Sequence, residues 1–267
     1  MRRLLVGLVV FGLISACSPD SESRLVVAAG TTVVDSGLID RLASAYEETH
    51  PDIQVSVVAN PTQLVLELGY QKAADLLITH APEQEAEFIE AGAAADAARV
   101  FESRFVVIGP DEWLETVEGL EAPEVFRIFA ADRQVFVSRG DGSGTHDAER
   151  LVWLEAGIDP TGEPWYTVVS QGMGPTIIIA DQRDGVTLSE LGAFLSAKPT
   201  VGIIDLQLDP GGLGNPYTAM VVAGSDGEAM AAAFLSWMRS PEGLEEITAA
   251  NLELFGEIVY EPAATSG

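Results

Sequence analysis

Cysteine is nearly absent from this sequence. Cys17 is the only one in 267 residues, so no intramolecular disulfide can form and the fold must rest on its packed core. Histidine is scarce too: His50, His80 and His146 are the full set. No two of them stand at metal-ligand spacing, which argues against a zinc site. No Gly-x-Gly-x-x-Gly follows the first strand-like run and no Walker lysine occurs, so nucleotide binding has no support. Basic residues are few, 14 Lys plus Arg against 41 Asp plus Glu, for a net charge of −27. Nucleic acid, which demands clustered basic surface, is thereby excluded as a partner. The acid excess does not exclude a small anion. A buried site answers to nearby N–H groups and a local arginine, while surface charge is screened beyond about 8 to 10 Å. The acidity reads as a solubility or salt-tolerance trait.

Long apolar runs are missing except for one, residues 4–14, which follows Arg2 and Arg3 and leads into Ile14-Ser15-Ala16-Cys17. A basic start, a short apolar centre and small residues before the processing site are the parts of a signal peptide. The run falls short of the roughly 20 residues that a membrane span needs. Ile-Ser-Ala-Cys also fits a bacterial lipobox, which makes Cys17 the expected lipidation site; an ordinary secretory peptide with an incidental cysteine is the alternative. The expectation is a signal peptide at 1–17, a polar tether at 18–24 and an exported mature chain. That chain would be anchored by lipid on the periplasmic or cell-surface face of the cytoplasmic or outer membrane. Its length suits one large or two small lobes.

What is present is an alternation of short apolar strands and helical patterns. Residues 25–28 read as a buried strand. Leu38, Ile39, Leu42, Ala45 and Tyr46 then recur at helical spacing, with Asp35 or Ser36 as N-cap and Pro51 as the stop. Ile53, Val55 and Val57 alternate as a second strand, a short helix starts near Leu64, residues 75–79 form a third strand, and 82–91 a helix. This βαβαβα order predicts an α/β fold with a parallel sheet and covering helices. A strand at 105–109 leads into an irregular acidic stretch, 111–124, expected to cross into a second lobe. A strand at 201–205 and a return near 215–223 precede two closing helices, 229–238 and 241–250.

The most informative stretch is Val137-Ser138-Arg139-Gly140-Asp141-Gly142-Ser143-Gly144-Thr145-His146. A strand ends in an arginine, a glycine-rich turn follows, and a helical pattern begins at once. Glycines allow close backbone approach, and a helix's first turn offers unpaired N–H groups with partial positive charge. Ser143 and Thr145 add hydroxyls, Gly144 lies between them, and Arg139 adds a planar fork suited to oxygen anions. A plain strand–turn–helix junction capped by Asp141 or Ser143 would use the same residues. Two further junctions favour the anion cradle. Thr31 and Thr32 follow the first strand, where ligands gather in α/β sheets. Gln171-Gly172-Met173-Gly174-Pro175-Thr176 precedes another helical run, with Gly172, Met173 and Gly174 as weaker candidates.

Taken in order, these segments resemble the tungstate-binding proteins of bacterial and archaeal ABC importers. The similarity runs through Thr31-Thr32 with Asp35 to Asp40, then 75–82, 105–110, 138–146, Gln171 to Gly174, Asn215-Pro216-Tyr217 and Phe255-Gly256. The resemblance implies a two-lobed periplasmic-binding-protein type II fold, each lobe a mainly parallel sheet flanked by helices, with a cleft between. Lobe 1 would comprise 25–107 plus 220–267, and lobe 2 would comprise 108–219. It implies an oxyanion held by Thr31, Thr32, Thr62, Arg139, Ser143, Gly144 and Thr145. The chain departs from the family pattern at Pro61-Thr62-Gln63, where Gly-Thr-Gly is usual. It departs again at Leu188-Ser189-Glu190-Leu191, where an arginine is lost.

The implied function is capture without chemistry. Tungstate, or molybdate, would be taken up between the lobes and delivered to an ABC permease and its ATPase by a monomeric, cofactor-free binding protein. Phosphate is the alternative ligand, because Arg139 to Thr145 also resembles a segment of phosphate-binding proteins, and Asp141 could accept the proton of hydrogen phosphate. An oxyanion-sensing lipoprotein is a further alternative. A secreted hydrolase built on Ser143 and His146 lacks the Gly-x-Ser-x-Gly frame, and His146 suits a packing or capping role.

Overall fold

The computed structural model describes residues 23–263; the expected signal peptide and Cys17 lie outside the described residues. The chain begins with β1 (Ser23–Gly30), α1 (Thr31–Asp35), α2 (Leu38–Thr49), β2 (Ile53–Asn60), α3 (Thr62–Tyr70), β3 (Leu76–Thr79), α4 (Pro82–Glu90) and β4 (Ala94–Gly109). Then come α5 (Leu114–Val117), α6 (Ala122–Asp132), β5 (Phe136–Ser138), α7 (Gly144–Ala156), β6 (Tyr166–Val168), α8 (Met173–Gln182), β7 (Thr187–Glu190), α9 (Leu191–Ala197) and β8 (Ile204–Asp205). The chain closes with β9 (Gly214–Val222), α10 (Glu228–Met238), α11 (Pro241–Phe255) and β10 (Glu261–Pro262).

The first lobe's sheet runs β10-β4-β9-β3-β1-β2. β2, β1 and β3 are parallel, as the βαβαβα pattern predicts, while β9 lies antiparallel between β3 and β4. The sheet is therefore mixed. β1 shows why it needs helices on both faces. Leu25, Val27 and Ala29 enter one core cluster with α2, α10 and α11, and Ala28 enters another with Val65, Leu66 and Phe88. Side chains alternate across the pleat, and both faces are apolar.

β4 carries the chain between lobes. It pairs with β9 as far as Arg104, then with β7 from Phe105 and with β8 at Ile108 and Gly109. Phe105 and Val107 point into the second lobe's own core, built around Phe126, Phe129, Phe136 and Trp153, whereas Val106 and Ile108 join the first cluster. The change of partners in β4, between Arg104 and Phe105, falls three residues before the boundary expected at 107/108. In the second lobe β5 and β6 pair in parallel, and Phe136 bridges to Val186 beside β7.

Several local expectations are corrected. Ser23 and Arg24, expected in the tether at 18–24, already pair with Ile53 and Gln54. The strand expected at 105–109 is the end of a 16-residue strand; the alanine-rich start of that strand, weak in β propensity, is held by β9. The stretch read as irregular, 111–124, folds into α5 and the start of α6, where Val125, Phe126 and Phe129 are buried. The strand expected at 201–205 contracts to Ile204–Asp205.

Candidate functional site

Three parallel strands of the first lobe end level with one another, since Gly30 pairs with Asn60 and Ala29 with Ile78. Immediately beyond them lie Thr31 and Thr32, then Thr62, then His80. The threonines open α1 and α3, so their hydroxyls stand among unpaired helix N–H groups. Across from them β5 ends at Ser138, and Arg139 follows.

Arg139 is 1% exposed, a large cation in the interior. Its Nη1 donates to Thr32 Oγ1 at 2.9 Å, its Nη2 donates to Thr31 Oγ1, and its Nε donates to Asp141 Oδ2 at 2.8 Å. The planar fork thus ties the second lobe to the first turn of α1. Asp141 is fully engaged, because its Oδ1 accepts from the Ser143 N–H at 3.1 Å. The turn that permits this has Gly140 at φ 64° and Gly142 at φ 71°, a backbone region that side-chain-bearing residues rarely enter.

Ser143 caps α7, its Oγ accepting from the His146 N–H at 3.4 Å. The His146 ring does not reach Ser143 as a base would, because its Nδ1 accepts from the Gly142 N–H at 3.1 Å. Burial lowers the affinity of that ring for a proton. The Ser–His pair is a helix cap.

Four buried hydroxyls lack partners among the described residues, those of Thr62, Ser138, Thr145 and Ser225, and two of them belong to the expected cradle. Thr62 Oγ1 and Thr145 Oγ1, on residues each 1% exposed, make no hydrogen bond among the described residues. A buried polar group left unpaired costs about 1 to 3 kcal/mol, so such groups call for an occupant. The turn that leads into α7 approaches the start of α3: a Cβ on Gly142 would lie 3.7 Å from the Gln63 side chain. Thr31, Thr32, Thr62, Arg139, Ser143, Gly144 and Thr145 are therefore brought to one inter-lobe region.

The third junction behaves differently. Met173 is buried in the large core cluster, so its side chain is packing. Gly172 caps α8 and lies by α1, where a Cβ would come 3.9 Å from Asp35 Oδ2. Burial pushes the Asp35 carboxyl up, opposed by the Arg139 charge. Gly174 has open space around it. Where an arginine is lost after β7, Glu190 is wholly buried and satisfied by neutral donors: Ser103 Oγ, Tyr260 Oη at 2.9 Å and the Ala193 N–H at 3.2 Å.

A groove of about 1280 Å³ adjoins the region, lined among others by His80, Gln84, Gly140, Gly144, Asp147 and Asn215. It touches the cradle through His80, Gly140 and Gly144. Among the described residues no cluster of three or more His, Cys, Asp or Glu could hold a metal, and no helix is long and apolar enough to cross a membrane.

Sequence reasoning passed over His80 and Asn215. Nδ1 of His80 lies 2.7 Å from Asn215 Oδ1, and its ring stacks on Tyr217 with centroids 4.8 Å apart. The available signal was positional: His80 follows an apolar strand as Thr31 and Thr62 do.

Comparison with known proteins places this architecture. Residues 18–242 match the PBP superfamily domain. The tungstate-binding protein TupA of Peptoclostridium acidaminophilum is 29% identical, with 98% of this chain and 96% of that protein covered. Among solved structures, the tungstate ABC transporter from Geobacter sulfurreducens superposes with a TM-score of 0.77 at 32% identity, covering 86% of this chain and 99% of that one. The tungstate-binding protein TupA from Desulfovibrio alaskensis G20 gives 0.76 at 30% identity, covering 91% and 99%. The chain belongs to the PBP superfamily and, within it, to the family of tungstate-binding proteins.

Proposed function

We propose that this protein captures tungstate, or the equally charged and similarly sized molybdate, between its lobes and passes it to an ABC permease driven by its ATPase. The ligand is a tetrahedral dianion held by Thr31, Thr32, Thr62, Arg139, Ser143, Gly144 and Thr145, with no bond made or broken. The observation that carries this reading is the pair of unpartnered buried hydroxyls, Thr62 Oγ1 and Thr145 Oγ1, beside the buried Arg139 guanidinium. An oxyanion offers acceptors to all three, and charge-assisted hydrogen bonds contribute about 1.5 to 3 kcal/mol each. Entry of the ion exchanges the Arg139 bonds to Thr31 and Thr32 for bonds to oxygen.

Phosphate is the second reading. Asp141 accepts one hydrogen bond at each carboxylate oxygen, from Arg139 and from the Ser143 N–H, and its remaining lone pairs could accept a phosphate proton. The protein acts outside the cytoplasm as a monomer, tethered through lipid on Cys17. Its cargo is identified by thermal unfolding in excess tungstate, molybdate, sulfate or phosphate. A ligand at 100 times its dissociation constant adds about 2.7 kcal/mol. Tungstate, with or without molybdate, is expected to raise the melting temperature while phosphate leaves it unchanged; a shift with phosphate alone overturns the reading.

A further inference from the structure

We infer that His80 is a ligand-facing residue of the cradle and takes up a proton from water when the dianion binds, changing its Nε2 from a lone-pair acceptor into a charged donor. The inference rests on the oxyanion reading of the site and adds a proton to it.

Placement comes first. His80 follows β3 as Thr31 follows β1 and Thr62 lies just beyond β2, at the level ends of three parallel strands. Its Nε2 lies between the two cradle segments. A Cβ on Gly144 would come within 2.8 Å of it and one on Gly30 within 3.8 Å, and these glycines immediately precede Thr145 and Thr31.

The tautomer follows from the neighbours. The Asn215 amide stands with Oδ1 2.7 Å from the ring and Nδ2 3.4 Å from Tyr217 Oη, a hydroxyl that serves as donor or acceptor; in this orientation the ring faces an acceptor. An amide oxygen only accepts, so Nδ1 carries the proton and Nε2 is left bare. Nε2 makes no hydrogen bond among the described residues. A bare nitrogen facing an oxyanion would repel it; a protonated one would bind it.

Charge balance supplies the drive. Within the cradle Arg139 is already paired with Asp141 at 2.8 Å, so its single charge is shared between a carboxylate and the dianion. Before binding, burial and the Arg139 charge hold the imidazole pKa down at about 4, against an opposing hydrogen bond from Asn215. A dianion beside the ring reverses the sign of that local field, which favours the imidazolium.

The other ionisable groups around the ring are otherwise occupied. Glu85 accepts from Thr79 Oγ1 and the Ala81 N–H, each at 2.8 Å. Asp147 on α7 accepts from Gln84 at 3.0 Å, and His146 is held by the Gly142 N–H. Glu83 and Arg150 line the groove. Burial keeps the stacked Tyr217 phenol protonated. None replaces Nε2 at the position between Gly30 and Gly144.

The test is titration calorimetry with sodium tungstate at pH 7.5 in buffers of differing ionisation enthalpy, which counts protons. The wild-type protein is expected to take up as much as one proton per ion bound, and its affinity to fall by up to tenfold per pH unit as pH rises through the imidazole pKa of the complex. His80→Gln is expected to take up none and to lose the pH slope. Should that variant fail to fold, nitrogen-15 NMR of the wild-type imidazoles reads His80 directly, since only three histidines are present. Tungstate binding with no proton uptake, or with His80 still neutral, overturns the inference and leaves the transport reading standing. Absence of tungstate binding by the wild type overturns the transport reading itself.

Discussion

Arg139 donates from Nε, Nη1 and Nη2 at once, to groups on both lobes. A lysine has no planar fork and cannot reach Thr31, Thr32 and Asp141 together. Arg139→Lys is expected to weaken tungstate binding by at least about tenfold, the loss of one charge-assisted hydrogen bond; unchanged affinity in calorimetry removes Arg139 from the site. Behind it, Glu149 on α7 is 1% exposed and accepts from Tyr166 Oη at 2.6 Å. Burial pushes its pKa from 4.5 up to about 7. The folded protein therefore keeps this proton over a window where the unfolded chain has released it. Stability from this group is full below pH 4.5 and is lost as pH rises to about 7, a span worth roughly 3 kcal/mol. Glu149→Gln is expected to remove that decline from a urea-midpoint profile, and an unaltered profile shows that Glu149 titrates alike in the folded and unfolded chain. Arg139 was legible in the sequence because a glycine-rich turn and a helix start surround it. His80, Asn215 and Glu149 were not, because their roles arise from burial and from partners distant in sequence.

The elements that were easiest to read are those whose own residues specify them. α2 shows the 3.6-residue apolar repeat, and α7 is bounded by Ser143 and by Gly157 at φ 73°. The elements that escaped depend on tertiary partners. The start of β4 is alanine and charge, made a strand by β9, and the two residues of β8 survive only through β4. α6 escaped for another reason: acidic residues before it masked Val125, Phe126 and Phe129. Helix placement also carries a packing constraint. The start of α7 approaches His80 so closely that a Cβ on Gly144 would lie 2.8 Å from the ring, which Asn215 and Tyr217 hold in place. Gly144→Ala is expected to cost about 1 to 3 kcal/mol of stability by overpacking. A wild-type denaturation midpoint in that variant shows that the two lobes separate readily enough to admit a methyl group.

At the scale of the molecule, a net charge of −27 repels both itself and an incoming dianion. Raising ionic strength from 0.1 M to 1 M shortens the screening length from about 10 to 3 Å. The melting temperature is expected to rise, and stopped-flow tryptophan fluorescence is expected to report faster tungstate association. A falling melting temperature in salt indicates that ion pairs such as Arg41–Glu253, at 2.8 Å, outweigh the general repulsion. The two-lobed α/β plan was legible from the order of strands, helices and junctions. The position of β9 was not, since nothing local distinguishes a strand that completes a sheet from one that extends it.

That position bears on how the protein is made. β9 separates β3 from β4, pairing Leu76 with Val221 on one side and Ala97 with Met220 on the other. A chain emerging N-terminus first produces β3 and β4 in succession, yet the slot between them is filled only after the entire second lobe has been synthesised. Until then the facing edges of β3 and β4 are open to pairing with other chains. The first lobe's sheet is therefore completed only when one late strand, residues 214–222, enters between two early ones.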